Sequence, residues 1–422
     1  MNLHDRSVLL GVTGGIAAYK SAELVRVLQQ RGARVRVVMT RGAQQFITPL
    51  TLQTLSGHPV STDLWDLTQE SQIGHIALAD SAEVLLIAPA TANVIAKLAH
   101  GIADDLLTTV ALATRARLVV APAMNVHMFE SPVVQENLER LCARGARIVT
   151  PDSGSLACGY EGQGRLPDPD VLAEEVRAAL SPQDMKGETV LVTAGPTREY
   201  LDPVRFLSNR SSGKMGFAVA RAAARRGARV VLVSGPTSLA NPRGIEVARV
   251  ETAAEMARAV DEHAGAASVV VAAAAVADYT PRRRADQKAA KVKGATTLEL
   301  DTTRDIVATL DRTRRDRIIV GFAAETGDPV EKARGKLERK KLDLIVANDV
   351  TAEGAGFDVE TNIVTLVDAS GATSLPMLDK DDVADAILDR VSALRAERAR
   401  PARAATRPRG KVTSLARARR RR

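Results

Sequence analysis

The sequence predicts an α/β protein built from two tandem parallel-sheet domains and a disordered basic tail, and three observations carry that prediction. Short apolar β-like runs alternate with helically spaced segments and are punctuated by glycine, the pattern of βαβ units. The pattern begins twice, near Ser7 and near Thr189, and both copies contain Arg-Gly-Ala-Arg-Val, at Arg31–Val35 and Arg226–Val230. Of 422 residues, 45% are hydrophobic but only 3% are aromatic. Ala, Val and Leu therefore dominate, which suits helices packed on parallel sheets rather than an aromatic-rich β-sandwich or propeller.

In the first half, Ser7–Gly15 is a β-like run ending in glycines and Ala17–Gln30 has helical spacing. Gly32 stands where a C-terminal cap belongs, and Arg34–Thr40 is the next strand. Further buried strands are predicted at Val84–Ala88, Leu118–Ala121 and Arg147–Thr150, and a helix at Asp170–Leu180. Ser181–Gly187 breaks that helix, so the domains are expected to span 1–182 and 187–394. The second half repeats the order. Thr189–Gly195 leads through a long inserted loop to the helical Gly216–Arg226, then Gly227 and the strand Val230–Ser234. Ser268–Ala274, Arg317–Phe322 and Leu344–Ala347 are its other strands.

Composition excludes several classes. Cys142 and Cys158 are the only cysteines, which removes a disulfide scaffold and a four-cysteine zinc site and makes a reducing compartment the default. No apolar stretch reaches the ~18 residues of a bilayer span, and Val8–Val12 is too short for a secretory core, so a soluble cytoplasmic protein is expected. The net charge of +8 is unevenly spread: Arg395–Arg422 carries eleven Arg and one Lys against Glu397, or +11, leaving about −3 on the rest. The body is therefore no nucleic-acid surface, and only the tail, 395–422, is a candidate for nonspecific polyanion contacts.

Gly11-Val-Thr-Gly-Gly-Ile-Ala-Ala-Tyr-Lys-Ser21 approaches a phosphate-cradling P-loop, but Tyr19 stands where the last glycine must be and would obstruct the backbone wrap. What remains is a glycine turn opening a helix, either a plain turn or an anion site for one phosphate monoester. Pro89-Ala-Thr-Ala-Asn93 follows the strand Val84–Ala88, and Pro122-Ala-Met-Asn125 follows Leu118–Ala121. Leu156-Ala-Cys-Gly-Tyr160 opens a glycine-rich stretch, and His75 lies in Ile73-Gly-His-Ile76. These motifs resemble the flavin-dependent cysteine decarboxylases. In detail they resemble the decarboxylase half of the bacterial bifunctional coenzyme A biosynthesis family, phosphopantothenoylcysteine decarboxylase fused to phosphopantothenate–cysteine ligase. The second half carries the ligase signature of that family in Gly195–Gly216, Ala272–Asp278, Gly321–Thr326 and Lys336–Asp349.

The resemblance implies a flavodoxin-like flavoprotein domain followed by a Rossmann-like ligase domain. It implies FMN as the electron sink that decarboxylation of an acylated cysteine lacks. His75 is then the base for thiol oxidation, Asn125 the grip on the substrate carboxylate and Cys158 the proton donor, with Gly14, Gly15, Thr40, Phe46, Thr91 and Asn93 around the flavin. For the ligase it implies CTP and Mg²⁺, with 4′-phosphopantothenate and cysteine as substrates. Lys288, Lys336 and Lys340 then meet nucleotide phosphates or the acyl group, and Asp278 the nucleotide or Mg²⁺. Phe322 lines the cytosine pocket beside Ala272, Ala273 and Ala274 and the segment Thr303, Arg304, Asp305 and Ile306, while Arg205 and Asn209 handle the acyl intermediate. It further implies trimers of the flavin domain and dimers of the ligase domain, combined into a dodecamer. An isolated histidine or buried cysteine is more often a packing residue; motif company singles out His75 and Cys158. Asp379-Lys380, where the family commonly has Ser-Lys, lies outside the expected chemistry. The rival readings are a peptidyl-cysteine decarboxylase or flavin prenyltransferase, which the second-half signature opposes, and a noncatalytic flavin-binding regulatory subunit, which His75, Asn125 and Cys158 together oppose.

Overall fold

The computed structural model describes residues 3–65, 74–155, 159–288, 290, 294–310, 316–325, 329–349, 356 and 359–399. Its first sheet contains β1 (Ser7–Val12), β2 (Arg34–Met39), β3 (Val84–Ala90), β4 (Arg117–Pro122) and β5 (Arg147–Ile148), all parallel in the order β2-β1-β3-β4-β5. Leu10 of β1 lies opposite Val37 of β2 and Leu86 of β3. Successive strand residues face opposite sides, so Leu10 and Leu86 join one core while Leu9 and Leu85 join the other. Apolar runs without polar alternation are thereby explained: both faces are covered. On the first face lie α1 (Lys20–Gln30) and α2 (Pro49–Ser56). On the other lie α3 (His75–Asp80), α4 (Ala92–His100), α5 (Leu106–Ala113) and, after the short α6 (Val126–Glu130), α7 (Pro132–Ala143). A two-stranded ribbon, β6 (Asp152–Ser155) with β7 (Glu161–Arg165), precedes α8 (Pro169–Leu180), which returns to the first face.

The second sheet has the order β12-β11-β8-β13-β16-β17-β19-β20. Its strand β8 (Thr189–Ala194) is followed by the ribbon β9 (Arg198–Tyr200) and β10 (Phe206–Ser208) inside the inserted loop, then α9 (Lys214–Arg225), β11 (Arg229–Ser234) and β12 (Glu246–Arg249). Next come α10 (Ala253–Ala264), β13 (Val269–Ala272), the ribbon β14 (Tyr279–Pro281) and β15 (Leu300–Thr302), β16 (Ile318–Glu325), α11 (Pro329–Lys340) and β17 (Leu344–Asp349). A capping box starts α10: the Thr252 hydroxyl accepts from the Glu255 amide at 3.2 Å while the Glu255 carboxylate reaches back. The chain ends with β18 (Thr361–Asn362), β19 (Val364–Asp368), β20 (Gly371–Ser374), β21 (Leu378–Asp379) and α12 (Lys380–Ala399).

The tandem α/β expectation holds, with four differences. Ile16–Tyr19 is a tighter 3₁₀ turn before α1, so the regular helix begins three residues later than Ala17. Strands β5 and β13 are shorter than their apolar runs. The second sheet is not wholly parallel, because β19 and β20 close its edge antiparallel; a hairpin needs no crossover helix and leaves no glycine-strand-helix grammar to read. Finally, α12 runs through Ala399, five residues into the expected tail. Arg395 pairs with Glu188 at 2.6 Å, and Arg398 pairs with Asp343 and donates to the Arg317 carbonyl. Those two arginines are therefore structural, and 400–422 lies outside the described residues. Among the described residues no helix is long and apolar enough to cross a membrane.

The halves meet through charge. Arg177 of α8, its side chain 7% exposed, reaches Asp381 at 2.7 Å and Asp385 at 3.0 Å on α12. Arg225 of α9 spans Glu174 and Asp385 at 3.4 Å, and Arg221 joins Asp381 at 2.9 Å. Burial pushes the Asp381 carboxyl upward, but the Arg221, Arg177 and Arg225 guanidinium groups outweigh it and bring it down to about 2. Arg177→Ala strands Asp381 and Asp385 with less counter-charge, and should lower the unfolding free energy by about 3 kcal/mol in urea titrations. Because the Asp381 carboxyl is depressed when folded, the unfolded chain binds its proton first as pH falls. Its stabilisation is complete above the ordinary value of 3.8 and is lost toward pH 2. Between those values, denaturation midpoints of the intact chain should fall more steeply than those of Asp381→Asn.

Candidate active sites

Parallel sheets bind ligands beyond the carboxyl ends of their strands, where neighbouring connections leave to opposite sides. In the order β2-β1-β3-β4-β5 that crevice lies between β1 and β3. Thr13, fully buried just after β1, clamps it: its hydroxyl donates to the Pro89 carbonyl at 2.7 Å and accepts the Thr91 amide at 3.1 Å. Ser21 of α1 donates to the Ala88 carbonyl at 3.1 Å. Gly14 packs against Gly42 so closely that a Cβ would sit 2.8 Å from the Gly42 carbonyl carbon. At Gly15 the nearest atom to a Cβ would be the Thr91 methyl, 3.9 Å away, so space opens there. Thr40 ends β2, its amide donating to the Val12 carbonyl at 3.0 Å. Gly14, Gly15, Thr40 and Thr91 thus gather at one edge, where Thr91 also caps α4 through the Val94 amide. Asn93 lies exposed in the first turn of that helix, and Phe46 is 47% exposed beyond β2.

Asn125 caps α6, its side-chain oxygen accepting the His127 amide at 2.9 Å. The β6–β7 ribbon is built onto this turn. The Gly164 carbonyl accepts the Met124 amide at 3.1 Å, and a Cβ at Gly164 would lie 2.2 Å from the Met124 oxygen. Gly162 passes Val126 as tightly, and Tyr160 meets His127 edge-on at 5.1 Å between ring centres. Two glycine-dependent approaches, at Gly162 and Gly164, explain why this stretch reads as glycine-rich. Cys158 lies outside the described residues. His75 begins α3, half-buried, and no hydrogen bond joins it to Asn125 among the described residues.

The second sheet has an analogous edge with two adjoining cavities, of about 240 and 450 Å³. The smaller is lined by Ala272, Ala274, Asp278, Thr303, Arg304, Asp305, Ile306, Phe322, Lys336 and Lys340. Ten residues from four separated segments therefore meet as the sequence implied. Thr303 fixes its segment on the β13 connection, its hydroxyl donating to the Ala277 carbonyl at 2.6 Å and its amide to the Asp278 carbonyl at 2.9 Å. Lys340 pairs with Asp305 at 2.8 Å. Burial raises the Asp305 carboxyl, but the Lys340 ammonium and the Ala308 and Val307 amides hold it below its ordinary value. Arg304 turns away to Asp261, at 2.6 Å, so its backbone rather than its charge borders the cavity.

The larger cavity contains Asn209 and Ala273 and shares Ala274, Asp278 and Phe322 with the smaller. Asn209 donates to the Val276 carbonyl at 3.0 Å. Two implied residues are not brought in. Arg205 pairs with the buried Asp202 at 2.6 Å, and exposed Lys288 lines neither cavity. Ser211, Ser212, Gly213 and Lys214 do line the larger cavity without having been singled out. Their signal was the Ser-Ser-Gly-Lys-Met-Gly run opening a helix: Gly213 has φ +79°, and Gly216 lets α9 approach β8 where a Cβ would sit 2.5 Å from that of Ala194. Asn348, inside the Lys336–Asp349 signature, Asn362, and Lys380, which the sequence places outside the expected chemistry, are also in the wall.

Residues 1–181 match the Flavoprotein family, and residues 185–394 match the DNA/pantothenate metabolism flavoprotein C-terminal domain. The chain is 50% identical over 397 residues to the coenzyme A biosynthesis bifunctional protein CoaBC of Bacillus subtilis (strain 168), spanning 93% of this chain and 98% of the relative. The Escherichia coli (strain K12) protein of the same name is 48% identical over 396 residues, again 93% and 98% of the two chains. The chain belongs to the coenzyme A biosynthesis bifunctional protein family. It is a bifunctional enzyme of that pathway, with a flavoprotein decarboxylase half and a ligase half. Within this family fold, the tight seat of Gly164 predicts a selective defect. Gly164→Ala should lift the ribbon from the Asn125 turn and lower decarboxylase kcat at least about tenfold, with ligase turnover unchanged, measured as released CO₂ and CMP respectively.

Proposed function

We propose that the ligase half, 187–394, joins 4′-phosphopantothenate to cysteine at the expense of CTP, and that the FMN-dependent half, 1–182, decarboxylates the product to 4′-phosphopantetheine. The observation that carries this reading is the smaller cavity at the second sheet's carboxyl edge, whose wall gathers ten of the residues that the resemblance implies. A carboxylate is a poor electrophile with a poor leaving group, so amide formation needs prior activation. The substrate carboxylate attacks the α-phosphorus of CTP, pyrophosphate leaves, and the cysteine amine then displaces CMP from the acyl-cytidylate. Lys336 and Lys340 supply positive charge beside the phosphates, Phe322 gives the base an apolar wall, and Asn209 orients the acyl group. Asp278, at the junction of both cavities, is the protein's ligand to Mg²⁺. Among the described residues there is no cluster of three acidic, His or Cys side chains, and one carboxylate plus phosphate oxygens is the usual way Mg²⁺ is held with a nucleotide. Arg205 and Lys288, outside this wall, are assigned to a site completed by a second subunit.

The crevice between β1 and β3 suits a flavin phosphate and ring. The Gly14–Gly15 turn borders it, space opens at Gly15, and exposed Ile16, Tyr19 and Phe46 offer apolar cover. Thr40, Thr91 and Asn93 complete the holding residues. FMN supplies the electron sink for loss of CO₂. His75 takes the substrate thiol proton, Asn125 holds the departing carboxylate, and Cys158 returns a proton to the product. Large apolar side chains exposed in both halves, among them Trp65 and Tyr279, support trimers of the first domain and dimers of the second within a dodecamer. A reducing cytoplasm keeps the substrate thiol and Cys158 as thiols.

Mass spectrometry after incubation with 4′-phosphopantothenate, cysteine, CTP and Mg²⁺ tests the whole reading: 4′-phosphopantetheine and CMP are expected. Accumulated 4′-phosphopantothenoylcysteine would sink the decarboxylase assignment, and absence of CMP the ligase assignment. His75→Asn should abolish CO₂ release from preformed 4′-phosphopantothenoylcysteine while leaving the flavin absorbance spectrum intact; continued release would overturn the base assignment.

A further inference from the structure

Lys380 has no part in the chemistry just described, yet it is one of the few ammonium groups inside the molecule. It opens α12 and is 5% exposed. Burying an ammonium is costly, and the amino end of a helix, with its positive partial charge, is an unfavourable place for one. Local contacts offset both. The ammonium donates to the Gly356 carbonyl at 3.0 Å and to the Val359 carbonyl, and Asp381 and Asp382 occupy the first helical turn. The backbone is stitched to the same segment: the Lys380 amide donates to the Glu360 carbonyl at 2.9 Å, and β18 pairs antiparallel with β21 immediately before it.

That segment borders the ligase site. Lys380 and Gly356 line the 450 Å³ cavity with Asn209 and Asn348. The Glu360 carboxylate pairs at 2.6 Å with Lys214, the first residue of α9, directly behind the Ser211–Gly213 turn in the same wall. Lys380 thus binds Gly356 and Val359 through its ammonium and Glu360 through its amide, and the Glu360 side chain reaches the helix amino end. Lys380 and Lys214 also line a second cavity, of about 420 Å³, between the halves, together with Arg177 and Asp381.

We propose that Lys380 is a positioning residue of the ligase: it fixes Gly356, Val359 and Glu360 and, through Glu360 and Lys214, the amino end of α9 in the wall of the larger cavity, which shares Asp278 and Phe322 with the nucleotide site and so sets how well a nucleoside triphosphate is captured there. This rests on the ligase reading above. Removing the ammonium takes away the donor shared by two carbonyls, the segment relaxes, and Glu360 no longer holds Lys214 in the wall. The reacting groups themselves are untouched, so the loss falls on nucleotide capture.

The test is steady-state ligase kinetics of the full flavin-loaded chain with CTP varied, alongside decarboxylation of preformed 4′-phosphopantothenoylcysteine. Lys380→Met should raise KM for CTP about tenfold with kcat within about threefold of wild type, and leave decarboxylation unchanged. Lys380→Arg, which keeps donors at the site, should recover most of that loss. If Lys380→Met disrupts folding, seen as loss of both activities, Glu360→Gln decides: its side chain is 79% exposed, and it should raise KM for CTP about threefold. Unchanged KM in Glu360→Gln together with an unchanged KM or a failed fold in Lys380→Met would overturn the proposal. So would a loss of kcat at constant KM. Wild-type protein that makes no CMP would overturn the ligase reading and this proposal with it.

Discussion

Three arginines almost sealed from water, Arg177, Arg225 and Arg226, are the constraint around which both halves are arranged. Arg177 and Arg225 come from helices beside a sheet core and Arg226 directly follows one, and each finds carboxylates on a different element. Arg177 crosses from α8 to α12, Arg225 joins α9 to both, and Arg226 binds Asp184 of the connection at 2.5 Å and Asp389 of α12 at 2.7 Å. Such clusters add little net stability, since desolvation consumes much of the Coulombic gain. Two Nε groups, of Arg177 and Arg225, even lack a hydrogen-bond partner. What the cluster secures is a single arrangement: a shifted helix would leave buried charge unpaired.

That arrangement brings two independent sheet edges into one chain without merging their chemistry. In each half the glycine turn after the first strand lets a helix amino end approach the strand termini, and in each a buried threonine ties neighbouring strands: Thr13 to Pro89 and Thr91, and Thr193, whose hydroxyl accepts the Ala274 amide at 3.2 Å. The same local physics therefore yields two crevices. They differ in their charge. The second gathers Lys336 and Lys340 beside Asp305 and Asp278, whereas the first is bordered by glycines and exposed apolar side chains.

How far the sequence could be read follows from that physics. Strands buried on both faces leave uninterrupted apolar runs, so β1, β3, β8 and β17 are legible, whereas Asp278, Phe322, Lys336 and Lys340, from the β13 connection, β16 and α11, are marked only by the family resemblance. Edge strands β19 and β20 follow a hairpin rather than a crossover and carry no such grammar. Arg395 and Arg398 looked like tail because their sequence neighbours are Arg and Ala; the carboxylates that order them, Glu188 and Asp343, lie far away along the chain. Arg205 illustrates the converse. Its motif was clear, but a single chain gives it Asp202 rather than the cavity.

Lys380 joins these threads. In sequence it is one lysine before three aspartates within six residues, indistinguishable from a solvated helix start. In the fold it stands between the charged cavity that Arg177 and Asp381 share and the cavity that Asn209 and Asn348 line. The helix that carries it also carries every aspartate of the interdomain cluster except Asp184. Registration of α12 by the buried arginines therefore sets where Lys380 stands, and Lys380 lines the larger cavity of the second sheet. The interaction that fixes how the two halves meet is thus continuous, through one helix, with the wall of one of their active sites.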